Sequence, residues 1–268
     1  MKKVIFYLIL IFWTGLFIYP FLWMLSATVR PEYEIGSFNI IPSELSLYSY
    51  SQVFAKIPIL RAFLNSLFVA LTVTAGVLVF CSVIGYALSR LRFWGRNVIF
   101  GIVLLTMMIP IQIIIIPLYI LMVKFGWVNS YLSLIVPWMV SALGIVLFRQ
   151  YFQSIPQDVI DAARIDGCNE LQIIFRIIWP ISVPTLITVG ILTFMTTWNE
   201  VLWPLIVIRE RSLMTMPQLV TIFTVGGQAE SQLGVQLAAA TLLALPIVIA
   251  YTFFQKYFIE SMATTGLK

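Results

Sequence analysis

The side chains able to do chemistry are concentrated in one place: seven charged residues lie between Arg149 and Arg176, around the stretch QYFQSIPQDVIDAARIDGCNELQIIFR that runs from Gln150 to Arg176. Asp158 and Asp161 suit the positive end of a helix. The small pair Ala162 and Ala163, beside Asp161 and Arg164, makes a close-approach surface with charge at its edge. This set can cap, pair and dock; bond-making needs other groups, and they are missing. The chain has no histidine, which removes the commonest general base and metal ligand. Cys81 and Cys168 are far apart and belong to no metal or redox spacing, so they read as ordinary thiols. No G-x-x-x-x-G-K-[ST] run is present, so no phosphate cradle of that type lies on this chain. We therefore expect no catalytic residue and no metal site.

One further residue stands apart. Glu200 interrupts an apolar run, and an ionisable group in or near a membrane span is costly and a functional candidate. Two readings stay open for it: with Trp198 and Asn199 it lines a pathway, or it sits where water begins, beside Trp198 and Trp203 as interfacial anchors.

The elements that must position these residues are apolar. Of 268 residues 61% are hydrophobic and 10% charged, and the mean hydropathy is +1.00, which excludes a soluble globular domain. Charge-free segments of about 20 residues cross a bilayer core. They run Val4 to Val29, Ala62 to Ser89, Asn97 to Val123, Phe125 to Phe148, Ile177 to about Ile208, and from 231 to Gln255. The expected fold is thus an all-α integral membrane protein with six transmembrane helices; no alternating strand segments suggest a barrel. The first segment is longer than a signal-peptide core and is kept as an uncleaved span. With the N-terminus inside, ten of the 16 Lys and Arg fall on inside segments and six outside, so both termini are expected in the cytoplasm. Arg90, Arg92 and Arg96, flanking one tight connection, weigh most. The net charge of +5 is then a topology signal, and nucleic acid is not an expected partner. Outside, residues 30–61 read as a folded cap, and 209–230 as a long loop able to reach a partner or substrate.

On the inside, Ser154-Ile155-Pro156-Gln157 has the form of a capping box opening a short helix. Asp166-Gly167 ends it, glycine permitting a positive φ, and Asn169 with Gln172 caps a second helix. Leu171, Ile174, Phe175 and Ile178 then form an apolar stripe at i, i+3, i+4 and i+7. Two short helices at a sharp bend make a rigid knob.

The run Asp161-Ala162-Ala163-Arg164-Ile165-Asp166-Gly167, followed by Ile177, Ile178 and Pro180, resembles the EAA loop of permease subunits in binding-protein-dependent ABC importers. Thr197-Trp198-Asn199-Glu200 with Trp203-Pro204 is similar to the Thr-Trp-Asn-Asp segment of carbohydrate permeases like the second membrane subunit of the maltose importer, and Thr265-Gly266-Leu267-Lys268 to their C-terminal tail. Asp161 replaces the usual glutamate, and Cys168 stands where alanine is common.

The resemblance implies a type I ABC importer transmembrane domain occupying residues 1–268, with a first helix at about 4–29, core helices at about 62–255 and a cytoplasmic EAA loop at 150–176. Asp161, Ala162, Ala163, Arg164, Asp166 and Gly167 would couple to an ATPase. Trp198, Asn199 and Glu200 would lie on the pathway, and Thr265, Gly266 and Lys268 would touch the ATPase through the tail. The implied partners are a second permease subunit, a dimeric cytoplasmic ABC ATPase holding ATP and magnesium, an extracytoplasmic solute-binding protein and membrane lipid. The implied cargo is a sugar or oligosaccharide, with glycerol 3-phosphate as the alternative, and the implied location a bacterial or archaeal plasma membrane. An ion-coupled transporter should show buried acidic or histidine relays, and a membrane enzyme a cluster of His, Asp or Cys; the sequence shows neither.

Overall fold

A computed structural model describes residues 2–36, 39–227, 229 and 232–265; at 2, 250 and 253–265 it describes the backbone alone. Among these residues the regular elements are all helical. In chain order they are α1 (Lys2–Ala27), α2 (Tyr48–Lys56), α3 (Ile59–Arg90), α4 (Arg96–Met107), α5 (Ile111–Lys124), α6 (Tyr131–Ile135), α7 (Ala142–Ser154), α8 (Gln157–Ile165), α9 (Glu170–Gln172), α10 (Trp179–Ile181), α11 (Val183–Trp198), α12 (Leu202–Val207), α13 (Met216–Val225) and α14 (Leu233–Thr265).

Three stretches, Lys3–Ala27, Ile59–Arg90 and Tyr131–Ser154, are long and apolar enough to cross a bilayer, and two bent pairs bring the number to five if each pair is one span. Two of the expected spans are bent pairs, a direction that hydropathy does not give. The expected span from Asn97 to Val123 is bent by 103° between α4 and α5. Pro110, which has no N–H to give and disfavours helical backbone before it, stands at the N-cap of α5. The expected span from Ile177 to Ile208 turns by 89° ahead of α11, at the buried Ser182, and breaks again between Trp198 and Leu202. The expected span from Phe125 starts late, at Tyr131, after a turn with Gly126 at φ 67° and Asn129 at φ 58°. The expected outside loop 209–230 contains α13, where Met216, Pro217, Gln218, Leu219, Val220 and Phe223 are buried. Its lack of charge over ten residues reads equally well as helix.

The chain divides into two compact units, residues 1–63 with 216–249, and residues 64–215 with 250–268. In the first, α1 presents its apolar side chains outward from Lys3 to Leu22, and its end is partly covered, with Ala27 buried. The described residues of the segment 30–61 are folded, as its composition suggests. Arg30, 1% exposed, donates to Ser26 Oγ at 2.8 and 3.0 Å, and Glu34 accepts from the Ser43 backbone at 3.1 Å. The Glu32 carboxylate accepts from the Gly234 N–H at 3.1 Å, placing negative charge at the start of α14.

The second unit is built around α3 and α7. Val73, Val77, Cys81 and Tyr86 of α3 are buried with Phe148 and Phe152 of α7, which stack with ring centroids 5.5 Å apart. Arg90, at the end of α3, donates through Nε to the Phe152 carbonyl at 2.9 Å and through Nη2 to the Ile155 carbonyl. A cation thereby adds donors to carbonyls at the C-terminal end of α7, where positive charge is favoured. The same guanidinium donates to Gln157 Oε1 at 3.0 Å, which fixes where α8 begins.

Candidate functional site: the α8 knob and the Glu200 cavity

The expected capping box at Ser154 does not form. Ser154 Oγ donates backward to the Tyr151 carbonyl at 2.7 Å, Pro156 occupies the N-cap of α8, and Gln157 instead donates to Asp161 Oδ1 at 3.0 Å. Arg90 has claimed Gln157, a contact 67 residues away that no local pattern encodes.

The stop at Gly167 forms as expected. Gly167 has φ 81°, its N–H donates to the Arg164 carbonyl at 3.1 Å, and the Cys168 N–H donates to the Ala163 carbonyl at 3.0 Å. These two bonds are the paired closure of a Schellman motif. The Asn169 box follows directly: Asn169 Oδ1 accepts from Gln172 N and Gln172 Oε1 accepts from Asn169 N, both at 2.9 Å. Asn169→Ala should cost about 1 kcal/mol, the usual loss for such a cap. Amide hydrogen exchange at residues 169–172 checks this: faster exchange there, with α11 unchanged, is the expected result.

Ile160 and Ala163 are buried on the inner side of α8, while Asp161, Ala162, Arg164, Asp166 and Gly167 are exposed and Ile165 is 87% exposed. The alanine pair is therefore split: Ala163 seats the helix on its own chain, and Ala162 faces outward. The expected stripe after the turn is also redrawn. Residues 173–178 form a π-helical segment, whose wider turn brings Ile173, Ile174 and Ile178 inward and leaves Leu171 57% and Phe175 38% exposed.

Glu170 was not among the expected site residues, yet it ties the knob to α3. Its carboxylate accepts from Arg164 Nε at 2.9 Å and from the Tyr86 hydroxyl at 2.5 Å, and Arg164 Nη1 reaches Asp161 Oδ1 at 3.3 Å. The one local signal was an arginine and a glutamate flanking the glycine turn. Burial pushes the Glu170 carboxyl up, but the bonds from Arg164 and Tyr86 and the Arg164 charge outweigh it, holding it below the ordinary 4.5. The Glu170 hydrogen bond likewise raises the Arg164 guanidinium. A carboxyl held low contributes stability above about pH 4.5 that is lost as pH falls through its lowered value. The link is therefore intact at neutral pH.

The three residues expected on a pathway separate in space. Trp198 is 1% exposed and stacks on Phe194 at 5.8 Å. Asn199 is exposed and donates to the Met195 carbonyl at 2.9 Å. Glu200 alone lines a cavity of about 570 Å³ inside the second unit. Its Oε1 accepts from the Trp203 N–H at 3.1 Å, in the first turn of α12, and Trp203, like Trp198, is 1% exposed, so the two tryptophans pack inside the protein where interfacial anchors were expected. Val69, Val73 and Val77 form one wall, and Trp138 and Trp203 another, their rings 6.0 Å apart at 82°. Trp203 Nε1 donates to the Ser133 carbonyl at 2.8 Å. Trp138 Nε1 and Thr215 Oγ1, both buried, have no partner among the described residues. Each such orphan costs about 1–3 kcal/mol. Neither residue carried a sequence signal, since Trp and Thr are common at membrane helix ends and only the fold brings them to Glu200.

Of the expected tail contact, Gly266 and Lys268 lie outside the described residues, and Thr265 is described only as the last residue of α14.

Comparison with known proteins supplies the family. The chain is 37% identical over 257 residues to the arabinooligosaccharides transport system permease protein AraQ of Halalkalibacterium halodurans, covering 94% of this chain and 91% of that one. It is 30% identical to the lactose transport system permease protein LacG of Rhizobium radiobacter, covering 91% and 89%. A chain in the crystal structure of a bacterial ABC transporter involved in the import of the acidic polysaccharide alginate shares the fold, with TM-score 0.85, 24% identity and 96% of both chains covered. The family described as binding-protein-dependent transport system inner membrane component matches residues 81–264, the stretch that holds α8, the Gly167 turn and most of the cavity wall. On that match and those relatives, this chain belongs to the family of inner membrane components of binding-protein-dependent transport systems.

Proposed function

We propose that the chain is a sugar-importing permease subunit whose α8 knob receives the stroke of a cytoplasmic ATPase. The observation that carries this reading is the knob's construction. An exposed Ile165 at the tip of a two-turn helix is held by a Schellman turn and a capping box, and is strapped to the long helix α3 through Arg164, Glu170 and Tyr86. A push on such a knob moves a membrane helix; a loosely tethered loop would dissipate it. Asp161, Ala162, Arg164, Ile165, Asp166 and Gly167 form the contact, with Ala163 as the seat.

The rest of the reading follows from the family and the charge bias. The single transmembrane domain, residues 1–268, has six spans, α14 being the sixth, with both termini in the cytoplasm of a bacterial or archaeal cell. A second permease completes a heterodimer in the lipid bilayer, a solute-binding protein delivers cargo from outside, and the partner ATPase holds ATP and magnesium. The chain itself is non-catalytic. The carbohydrate relatives support a sugar or oligosaccharide as the cargo, with glycerol 3-phosphate as the alternative. Glu200 faces the pathway, and the tail through Thr265, Gly266 and Lys268 adds a second ATPase contact.

The test is Ile165→Glu. Burying a charge where an apolar tip should seat costs several kcal/mol unless it is paired, so ATPase recovery with the tagged permease should fall at least about tenfold. The permease itself should remain folded, because Ile165 touches little of its own chain. Full recovery of ATPase and full ATP-driven uptake would remove α8 from the contact.

A further inference from the structure

We propose that the turn joining α3 to α4, Leu91 to Gly95, is a docking surface for the headgroups of anionic phospholipid. The proposal goes beyond the transport reading and does not depend on the cargo.

The turn's place in the chain comes first. It joins the ends of two stretches long and apolar enough to enter a bilayer: α3, which ends at Arg90, and the bent pair that opens with α4 at Arg96. Headgroups lie at such ends. An apolar strip runs up to the junction. Val98, Ile102 and Leu105 of α4, at i, i+4 and i+7, face outward, while Phe100 and Val103 pack against the core of the unit. Phe93 and Trp94 stand at the end of that strip, and Trp94 is 99% exposed. An indole on the rim of a lipid-facing strip is the usual place of an interfacial anchor.

The charges give the sign of the partner. Arg92 is exposed, and Arg96 gives one N–H to the Leu91 carbonyl at 3.3 Å. Arg149 of α7 donates to the Leu88 carbonyl at 3.3 Å and lies 3.8 Å above the Phe100 ring, one helical turn from Arg96. A guanidinium carries more N–H donors than one carbonyl takes, so donors remain on each. Among the described residues the ion pairs belong to Arg164, and none is made by these three arginines. Leu91 to Val98 holds no Asp or Glu. Arg92 and Arg96 line one open hollow of about 530 Å³, with Trp94 and Asn97. A phosphodiester seated there can accept from both guanidinia while its acyl chains run along the α4 strip. Arginines at the end of a span are drawn to an anionic leaflet in this way. A soluble protein meeting the arginines would leave the strip uncovered.

The test uses the complete transporter in phosphatidylcholine proteoliposomes. The chain carries Cys168→Ser and Asn97→Cys with an environment-sensitive fluorophore on the new thiol, and the partner subunits lack reactive cysteines. Asn97 is exposed beside both arginines, and the remaining Cys81 is buried. The probes are trace phosphatidylglycerol and trace phosphatidylcholine, each with a nitroxide quencher near the top of an acyl chain. Phosphatidylglycerol should quench the more strongly, each arginine near the surface contributing about fivefold. Arg92→Gln with Arg96→Gln should bring the two lipids level, and Arg92→Lys with Arg96→Lys should keep the preference, because charge carries it. Equal quenching by both lipids with the arginines in place, or an undiminished preference in the paired glutamine variant, overturns the proposal. Quenching by neither lipid until the ATPase is stripped away would assign the turn to a protein contact and overturn it too.

Discussion

Replacing Gly167 with valine is expected to cut ATP-driven uptake at least about tenfold while Gly167→Asn retains most of it. The difference lies in the backbone alone. A Cβ built at Gly167 meets nothing within 4 Å, so no clash is involved, but φ is 81°, in the left-handed region that a β-branched side chain avoids. Holding a non-glycine residue there costs about 1–3 kcal/mol, which shifts the turn's population roughly 5- to 150-fold with a β-branched side chain at the upper part of that range, and asparagine is the side chain that best tolerates it. The strain would be relieved by opening the Gly167 N–H to Arg164 and Cys168 N–H to Ala163 bonds, which turns Ile165 and Asp166 away from their direction. Initial uptake rates in proteoliposomes at matched transporter density check this. Equal rates for the valine and asparagine variants would detach the turn from transport.

A larger effect on the fold itself is expected from Gly85→Leu. A Cβ at Gly85 would lie 2.8 Å from Phe148 Cβ and 3.0 Å from the Arg149 backbone nitrogen. The second of these is main chain, which cannot swing aside, so α3 and α7 must separate. Small residues at such crossings are what let membrane helices pack closely. Alanine already intrudes, at a cost of about 1–3 kcal/mol for overpacking, and leucine adds a whole side chain. The separation would also pull Arg90 from the end of α7 and Tyr86 from Glu170, which lie on the same helix. Gly85→Leu should yield little monodisperse protein on fluorescence-detected size exclusion, and Gly85→Ala a protein that melts several degrees lower. Wild-type yield and melting for the leucine variant would contradict this helix crossing.

How much of this could be read from residues alone depended on the range of the interaction. The all-helical membrane class follows from charge-free length. The Gly167 stop and the Asn169–Gln172 box were legible because both are closed within six residues by groups whose donors and acceptors are written side by side. The Ser154 box was misread because Arg90, from another helix, takes Gln157. The stripe after the turn was misplaced because its spacing was taken as α-helical, and a π-helical segment rotates Ile173 inward and Phe175 outward. Prolines at 110, 180 and 184 mark interruptions in these runs, but the bends of 103° and 89° are set by the fold, since hydropathy measures length and is blind to direction. Glu200 could be noticed as a charge in an apolar run, but Trp138 and Thr215 acquire meaning only when the fold places them around one cavity.

The most direct test of the central claim, that the α8 knob is where the ATPase grips this permease, is a cross-link from its tip. In a chain carrying Cys168→Ser, so that the neighbouring half-buried thiol does not compete, Ile165→Cys is treated with a short thiol-to-amine cross-linker in the assembled transporter. The expected result is a covalent adduct with the ATPase subunit whose yield changes when ATP closes the ATPase dimer. An Ile165→Cys thiol that forms no ATPase adduct with or without ATP, and is labelled by a membrane-impermeant reagent from the outer face, would contradict it.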